Sequence, residues 1–185
     1  YVWGLAAVSG GSVVVDNINP LSAQGDTKFP SLLEKMGCAV DIGSRSIAVS
    51  GPKKLKAIEA DMSLMPDTAQ TLAVIASCAE GTTVIRGLQT LRIKETDRIA
   101  ALQTELTKMG IRTEAGSDYM VVHGGLPHGA RIATYEDHRM AMSFAVLAAK
   151  IAGIEIEEPH VVEKSFPTFW EMLAEMGIDV QFVTA

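Results

Sequence analysis

Hydrophobic positions along this chain form two kinds of run. Three stretches, Tyr1–Ser9, Ala69–Ala79 and Met140–Ala149, are apolar on nearly every helical face, which predicts helices buried inside a domain. In a second kind, apolar residues recur at helical spacing: Phe29, Leu32, Leu33 and Met36; Ile99, Leu102, Leu106 and Met109; Phe166, Phe169, Trp170, Leu173 and Met176. Each set traces one stripe of an amphipathic helix. Short apolar runs such as Ile47–Val49 and Tyr119–Val122 end at Gly51-Pro52 and Gly124-Gly125 and read as strands.

The two helix types recur in register. Gly11, Gly81 and Gly153 follow the buried helices at spacings of 70 and 72 residues, and Gly37, Gly110 and Gly177 follow the amphipathic ones at 73 and 67. Glycine suits both places because a helix C-terminus ends well in the left-handed conformation. Two landmarks agreeing on a period near 70 imply three copies of one unit. The predicted fold is α+β (mixed α/β): a single domain, residues 1–185, of three βαβαββ repeats at about residues 1–60, 61–127 and 128–185. Leu72, Ile75, Met142, Phe144, Val146 and Leu147 belong to its expected core, and the Met36, Met109 and Met176 stripe is read as packing. Tyr1–Ser9 reads as the interior of a helix with neither cap nor initiator Met before it, as in part of a longer protein.

Composition narrows the function classes. A hydrophobic share of 48% against 21% charged excludes a disordered chain. A net charge of −6 argues against a nucleic-acid partner, which calls for a basic face. No apolar run approaches the ~18–20 residues of a membrane span, and no signal segment opens the chain, so no membrane partner and a cytoplasmic location are expected. Cys38 and Cys78 lack ligand spacing, and His123, His128 and His160 lie in loops without a ligating companion. No metal and no cofactor are expected.

Some charges resist a packing explanation. Leu91–Arg98 reads LRIKETDR; with Thr96 as the helix cap, Arg98 sits in a first turn that disfavours cations, and a helix beginning sooner would add the like charge of Lys94. Thr134–Ala145 reads TYEDHRMAMSFA, placing His138 and Arg139 at the opening of a buried helix with Glu136 or Asp137 as cap. An anionic ligand explains both oddities. A solvated turn balanced by Glu95 and Asp97, or a local acid paired to Arg139, explains each separately. Pro66-Asp67 is a favourable cap pair in its own right, Lys164 opens the third amphipathic helix, and Asp16, Asn17 and Gln24–Asp26 read as turn residues. Yet the odd charges gather at corresponding helix starts of different copies.

Taken together, Gln24-Gly25-Asp26, Pro66-Asp67, Lys94–Arg98, Thr134–Met142 and Lys164–Pro167 resemble the 5-enolpyruvylshikimate-3-phosphate synthase (3-phosphoshikimate 1-carboxyvinyltransferase) family of the shikimate pathway of aromatic amino acid biosynthesis. The resemblance implies an enolpyruvyltransferase-like domain, an inside-out α/β barrel, that faces an N-terminal partner domain of the same enzyme across a cleft. It implies transfer of the enolpyruvyl group from phosphoenolpyruvate to the 5-hydroxyl of shikimate 3-phosphate, with phosphate released. By motif, Asp67 would bind that hydroxyl and help deprotonate it, and Glu95 would protonate the phosphoenolpyruvate methylene. Lys94 would contact shikimate 3-phosphate, while Arg98, Arg139 and Lys164, with His138 beside them, would hold phosphoenolpyruvate. Thr90-Leu91 stand where many members carry Asn-Trp, so Thr90 is left out of the site. Two other readings remain open: an enolpyruvyltransferase acting on UDP-N-acetylglucosamine, and a non-catalytic repeat domain binding a phosphorylated metabolite or a partner.

Overall fold

The computed structural model describes residues 1–183. The chain opens with α1 (Val2–Ser9), β1 (Ser12–Asp16), α2 (Phe29–Lys35), β2 (Ala39–Ile42) and β3 (Ser46–Ser50). A second group follows: β4 (Leu55–Lys56), β5 (Glu59–Asp61), α3 (Ala69–Ala76), β6 (Ala79–Glu80), β7 (Thr82–Arg86), α4 (Arg98–Lys108), β8 (Thr113–Ala115) and β9 (Tyr119–His123). The third comprises β10 (Arg131–Ile132), α5 (His138–Ala145), β11 (Glu155–Ile156) and α6 (Phe169–Glu175). Short 3-10 turns at Pro66–Thr68, Gln89–Ile93 and Pro159–Lys164 lead into or precede α3, α4 and α6.

The apolar helices lie at the centre. Leu72, Ile75, Met142, Phe144, Val146 and Leu147 are all buried. Glycine at position 4 lets α1 approach its neighbours, since a Cβ there would stand 3.0 Å from Ile75 and 3.2 Å from Val146. The Thr71 and Ser143 hydroxyls bond at 3.0 Å between α3 and α5, satisfying two polar groups that burial would otherwise leave costly. Trp3 donates its indole N–H to the Ile47 carbonyl at 3.2 Å, fixing α1 to the sheet outside it. The first two amphipathic helices turn their stripes inward: Phe29 and Leu33 on α2 with Met36 just after it, and Ile99 and Leu106 on α4 with Met109 just after it, are 0–1% exposed.

Outside lie small sheets. In the second group the order is β5-β7-β9-β8, with β5 parallel to β7 and the other pairs antiparallel. The first sheet repeats this as β1-β3-β2, with Val13 opposite Val49 as Thr83 is opposite Val122. Among the described residues no strand covers the outer side of β1, the side that β5 occupies on β7.

Three expectations need correction. The left-handed glycine after α1 is Gly10, at φ +78°, and not Gly11, because α1 stops at Ser9 and Gly10 donates its N–H to the Ala6 carbonyl, and Gly81 and Gly153, also left-handed, stand in later turns, since α3 stops at Ala76 and α5 at Ala145. The third group lacks the final strand pair within the described residues: Ile178–Val183 belong to no strand. An extended segment becomes a strand only by pairing, and Phe182 and Val183, 71% and 89% exposed, have no partner there. For the same reason Met176 is 39% exposed, whereas Met36 and Met109 are buried beneath paired strands. No helix among the described residues is long and apolar enough to cross a membrane.

Candidate active site

The segment before α4 sorts its charges by local geometry. Arg92 bonds the Gly116 and Ser117 carbonyls at 2.5 and 3.2 Å and Asp97 at 2.7 Å, so it ties the 3-10 turn to the β8–β9 connection. Asp97, and not Thr96, caps α4, accepting the Ala100 N–H at 3.1 Å; the extra bond to Arg92 holds its side chain in place for that role. Lys94 and Glu95 are thereby left outside the helix, and Arg98 becomes its first residue.

Arg98 does not face solvent as an open anion receptor would. Its side chain is 1% exposed, and its Nε and Nη2 donate to the Asp137 carboxylate at 2.7 and 3.4 Å. Nη2 also reaches Glu95 at 2.8 Å, and Nη1 lies 3.6 Å from Asp67 without a hydrogen bond of its own. Asp137, fully buried, is at the same time the cap of α5 through the Arg139 N–H at 2.8 Å. One carboxylate therefore terminates a helix and neutralises a buried guanidinium from another repeat.

Asp67 serves no cap. Its carboxylate accepts from Arg139 Nη2 at 2.8 Å, and Oδ1 lies 3.8 Å from the Lys94 ammonium. Arg139 Nη1 also donates to the Asp67 carbonyl at 3.2 Å and to the Tyr1 hydroxyl at 3.4 Å. Arg139 is thus answered by an acid 72 residues away, and the local-acid alternative for it fails. Lys164 ends the 3-10 turn Pro159–Lys164, several residues before α6, and so does not open that helix; its ammonium lies 2.7 Å from Glu95. His138 begins α5 with its ring buried and Nδ1 unpartnered, and burial pushes its pKa below the usual value, which keeps it neutral.

Asp67, Lys94, Glu95, Arg98, Arg139 and Lys164 accordingly form one continuous ionic network contributed by the second and third groups, with His138 at its margin. Four cations meet three carboxylates when Asp137 is counted. The network lies open on one face: Lys164 is 58% exposed, and none of these residues lines the cavity of about 480 Å³ formed by Pro159, His160, Trp170 and Phe182. Sequence reasoning gave Asp137 only a capping role; its position beside His138-Arg139 was visible, but its bond to Arg98, 39 residues away, was not. It also left Asp26 as a turn residue. Gly25 packs so closely on the Leu64 carbonyl that a Cβ would stand only 1.9 Å from it, and burial raises the Asp26 pKa although Arg139 opposes the shift. Among the described residues no group of His, Cys, Asp or Glu is arranged to hold a metal ion.

The Lys164 hydrogen bond, helped by a backbone N–H and Arg98, lowers the Glu95 pKa from 4.5 to about 2. A depressed carboxylate pKa adds stability that is present above the unfolded value near 4.5 and lost as pH falls toward 2. The pair is partly solvated, so its share is small, below about 1 kcal/mol. In urea unfolding at a series of pH values, Glu95→Gln is expected to flatten the acid limb between pH 4.5 and 2; an identical limb in both proteins would contradict the assigned pairing.

Residues 1–173 match the family model for EPSP synthase (3-phosphoshikimate 1-carboxyvinyltransferase). Proteins named 3-phosphoshikimate 1-carboxyvinyltransferase from Methanoculleus marisnigri and Shewanella woodyi are 43% and 45% identical over 178 residues, which is 96% of this chain and 42% of each relative. A solved EPSP synthase from Acinetobacter baumannii superposes with a TM-score of 0.84 at 30% identity, covering 97% of this chain and 45% of that one. An enolpyruvyl transferase from Streptomyces tendae, at 24% identity and a TM-score of 0.78, shares the fold. The chain spans less than half the length of the curated relatives it matches.

Proposed function

The chain belongs to the EPSP synthase family, and on that footing we propose that it forms one wall of an active site transferring the enolpyruvyl group of phosphoenolpyruvate to the 5-hydroxyl of shikimate 3-phosphate. The opposite wall comes from an N-terminal domain of the same enzyme, and residues 1–185 act as a single domain. The observation that carries this is the network of Lys94, Arg98, Arg139 and Lys164 interleaved with Asp67 and Glu95.

Each cation in that network is already paired with an acid, so an incoming anion binds by exchange. The phosphate and carboxylate of phosphoenolpyruvate take Arg139, Lys164 and the free Nη1 of Arg98, while Lys94 turns to shikimate 3-phosphate. Guanidinium groups suit this task because they bind such oxyanions in a fixed fork. Exchange frees both carboxylates. Asp67, released from Arg139, accepts the proton of the 5-hydroxyl as its oxygen attacks C2 of phosphoenolpyruvate. Glu95, released from Lys164, loses the largest of the contacts that lower its pKa, so that its protonated form is favoured and delivers a proton to the methylene carbon. Phosphate then leaves the tetrahedral adduct with the proton held by Asp67, and the Glu95 carboxylate takes back a proton from the new methyl group, forming the enol ether. The neutral ring of His138 lies alongside without adding charge. The reaction needs no cofactor, and the free cysteines Cys38 and Cys78 suit a cytoplasmic enzyme.

Isothermal titration of this chain with phosphoenolpyruvate, shikimate 3-phosphate and UDP-N-acetylglucosamine tests the reading. Binding of the first two is expected to be weak and to fall with salt, and Arg139→Ala or Lys164→Ala is expected to weaken phosphoenolpyruvate binding about tenfold each. Preference for UDP-N-acetylglucosamine would move the assignment to the other transferase, and absence of binding to any of the three would refute it.

A further inference from the structure

Glu105 and Tyr135 take no part in the network, yet their bond holds the connection that leads into His138 and Arg139. The Glu105 carboxylate on α4 is fully buried, and a buried charge persists only when its oxygens are occupied. Oε1 accepts the Tyr135 hydroxyl at 2.6 Å. Oε2 accepts Lys108 at 2.7 Å and the Ala133 N–H at 3.2 Å. Two of these three donors belong to the connection between β10 and α5.

That connection is held in a conformation it would not choose. Tyr135 and Glu136 both have φ of +56°, a region that side chains other than glycine avoid. The next residue is Asp137, then His138 and Arg139. Arg98 and Glu105 are seven residues apart on α4, two turns of one helix and hence one face. Arg98 grips Asp137 at one end of the connection, and Glu105 grips Ala133 and Tyr135 at the other. Burial and the neighbouring Glu105 push the Tyr135 phenol up to about 12, so it stays a hydrogen-bond donor.

We propose that Glu105, through the Tyr135 hydroxyl, is a positioning residue: the pair holds the left-handed Tyr135–Glu136 step so that Arg139 meets the bound anion in fixed orientation. This rests on the anion-binding reading of Arg139. Without the hydroxyl, the connection relaxes toward ordinary backbone angles and the start of α5 shifts.

Phosphoenolpyruvate titration of Tyr135→Phe, alone and combined with Arg139→Ala or Lys164→Ala, tests it. The expected loss is about tenfold for Tyr135→Phe alone. That loss should vanish in the Arg139→Ala background and persist in full beside Lys164→Ala, because only Arg139 is positioned by the connection. Unchanged affinity in Tyr135→Phe, or equal losses in both backgrounds with a lowered melting temperature, would overturn the proposal and leave a purely structural bond. If Tyr135→Phe does not fold, Glu105→Gln, which keeps one acceptor oxygen but sheds the charge, takes its place in the same cycle with the same two readings. A wild-type chain that binds no phosphoenolpyruvate defeats the anion reading itself, a result distinct from both.

Discussion

Asp137→Ala is expected to cost about 3–5 kcal/mol in urea unfolding, the range for removing one partner of a buried ion pair. The side chain it removes is 0% exposed and faces a guanidinium that is 1% exposed. Glu95 and Asp67 still touch Arg98, which holds the loss toward the lower end, but the α5 cap disappears as well, worth ~1 kcal/mol. Asp137→Asn separates these effects: it keeps an acceptor for the Arg139 N–H and loses only the counter-charge. Arg98→Met combined with Asp137→Asn is expected to lose less than the two single changes together, since no buried charge is then left alone. A cost under 1 kcal/mol for Asp137→Ala would mean that Arg98 reaches solvent by a small rearrangement and is not committed to the interior.

Phosphate release from phosphoenolpyruvate and shikimate 3-phosphate by this chain alone is expected to fall orders of magnitude below that of a full-length relative. Holding two anions in reacting geometry supplies ~7–11 kcal/mol of barrier lowering, and an open network cannot fix both. Charge pairs left in water are worth only ~1 kcal/mol at 4 Å, several times less than in a closed cleft. Adding the separately produced N-terminal domain of a relative is expected to restore turnover. In that reassembled enzyme Glu95→Gln, which cannot deliver a proton, is expected to lower kcat by about 10²–10⁴ with the fold unchanged by circular dichroism. Turnover by the lone chain near the full-length rate would refute the shared-cleft account, and full activity of Glu95→Gln would remove Glu95 from the proton transfer.

The repeat was legible because its signals are local. The glycine spacings and the apolar stripes of Phe29–Met36 and Ile99–Met109 need no knowledge of the rest of the chain, and the buried helices announced themselves by lacking a polar face. Where a choice depended on distant partners, sequence could not make it. Thr96 and Asp97 are both good caps side by side, and Arg92 decides for Asp97. Pro66-Asp67 has the form of a cap, but Arg139 from another repeat claims the carboxylate. Arg98 and Arg139 open helices while Lys164 does not; that Arg98, Arg139 and Lys164 meet acids of a neighbouring repeat, with Arg98 turned inward, is a tertiary fact. The absent strand pair after α6 follows the same rule, since Ile178–Val183 resemble their counterparts in sequence and lack only a neighbour to pair with.

The outer side of β1 has a practical consequence. Five residues, Ser-Val-Val-Val-Asp, carry a row of backbone donors and acceptors with no strand beside them among the described residues. Neither proline nor lysine nor a bulge interrupts Ser12–Asp16, and Val14 is 59% exposed. Natural sheets blunt their margins with such devices to prevent edge-to-edge aggregation. Handled by itself, this chain therefore carries a template for self-association, and the concentration at which it is studied becomes part of the chemistry.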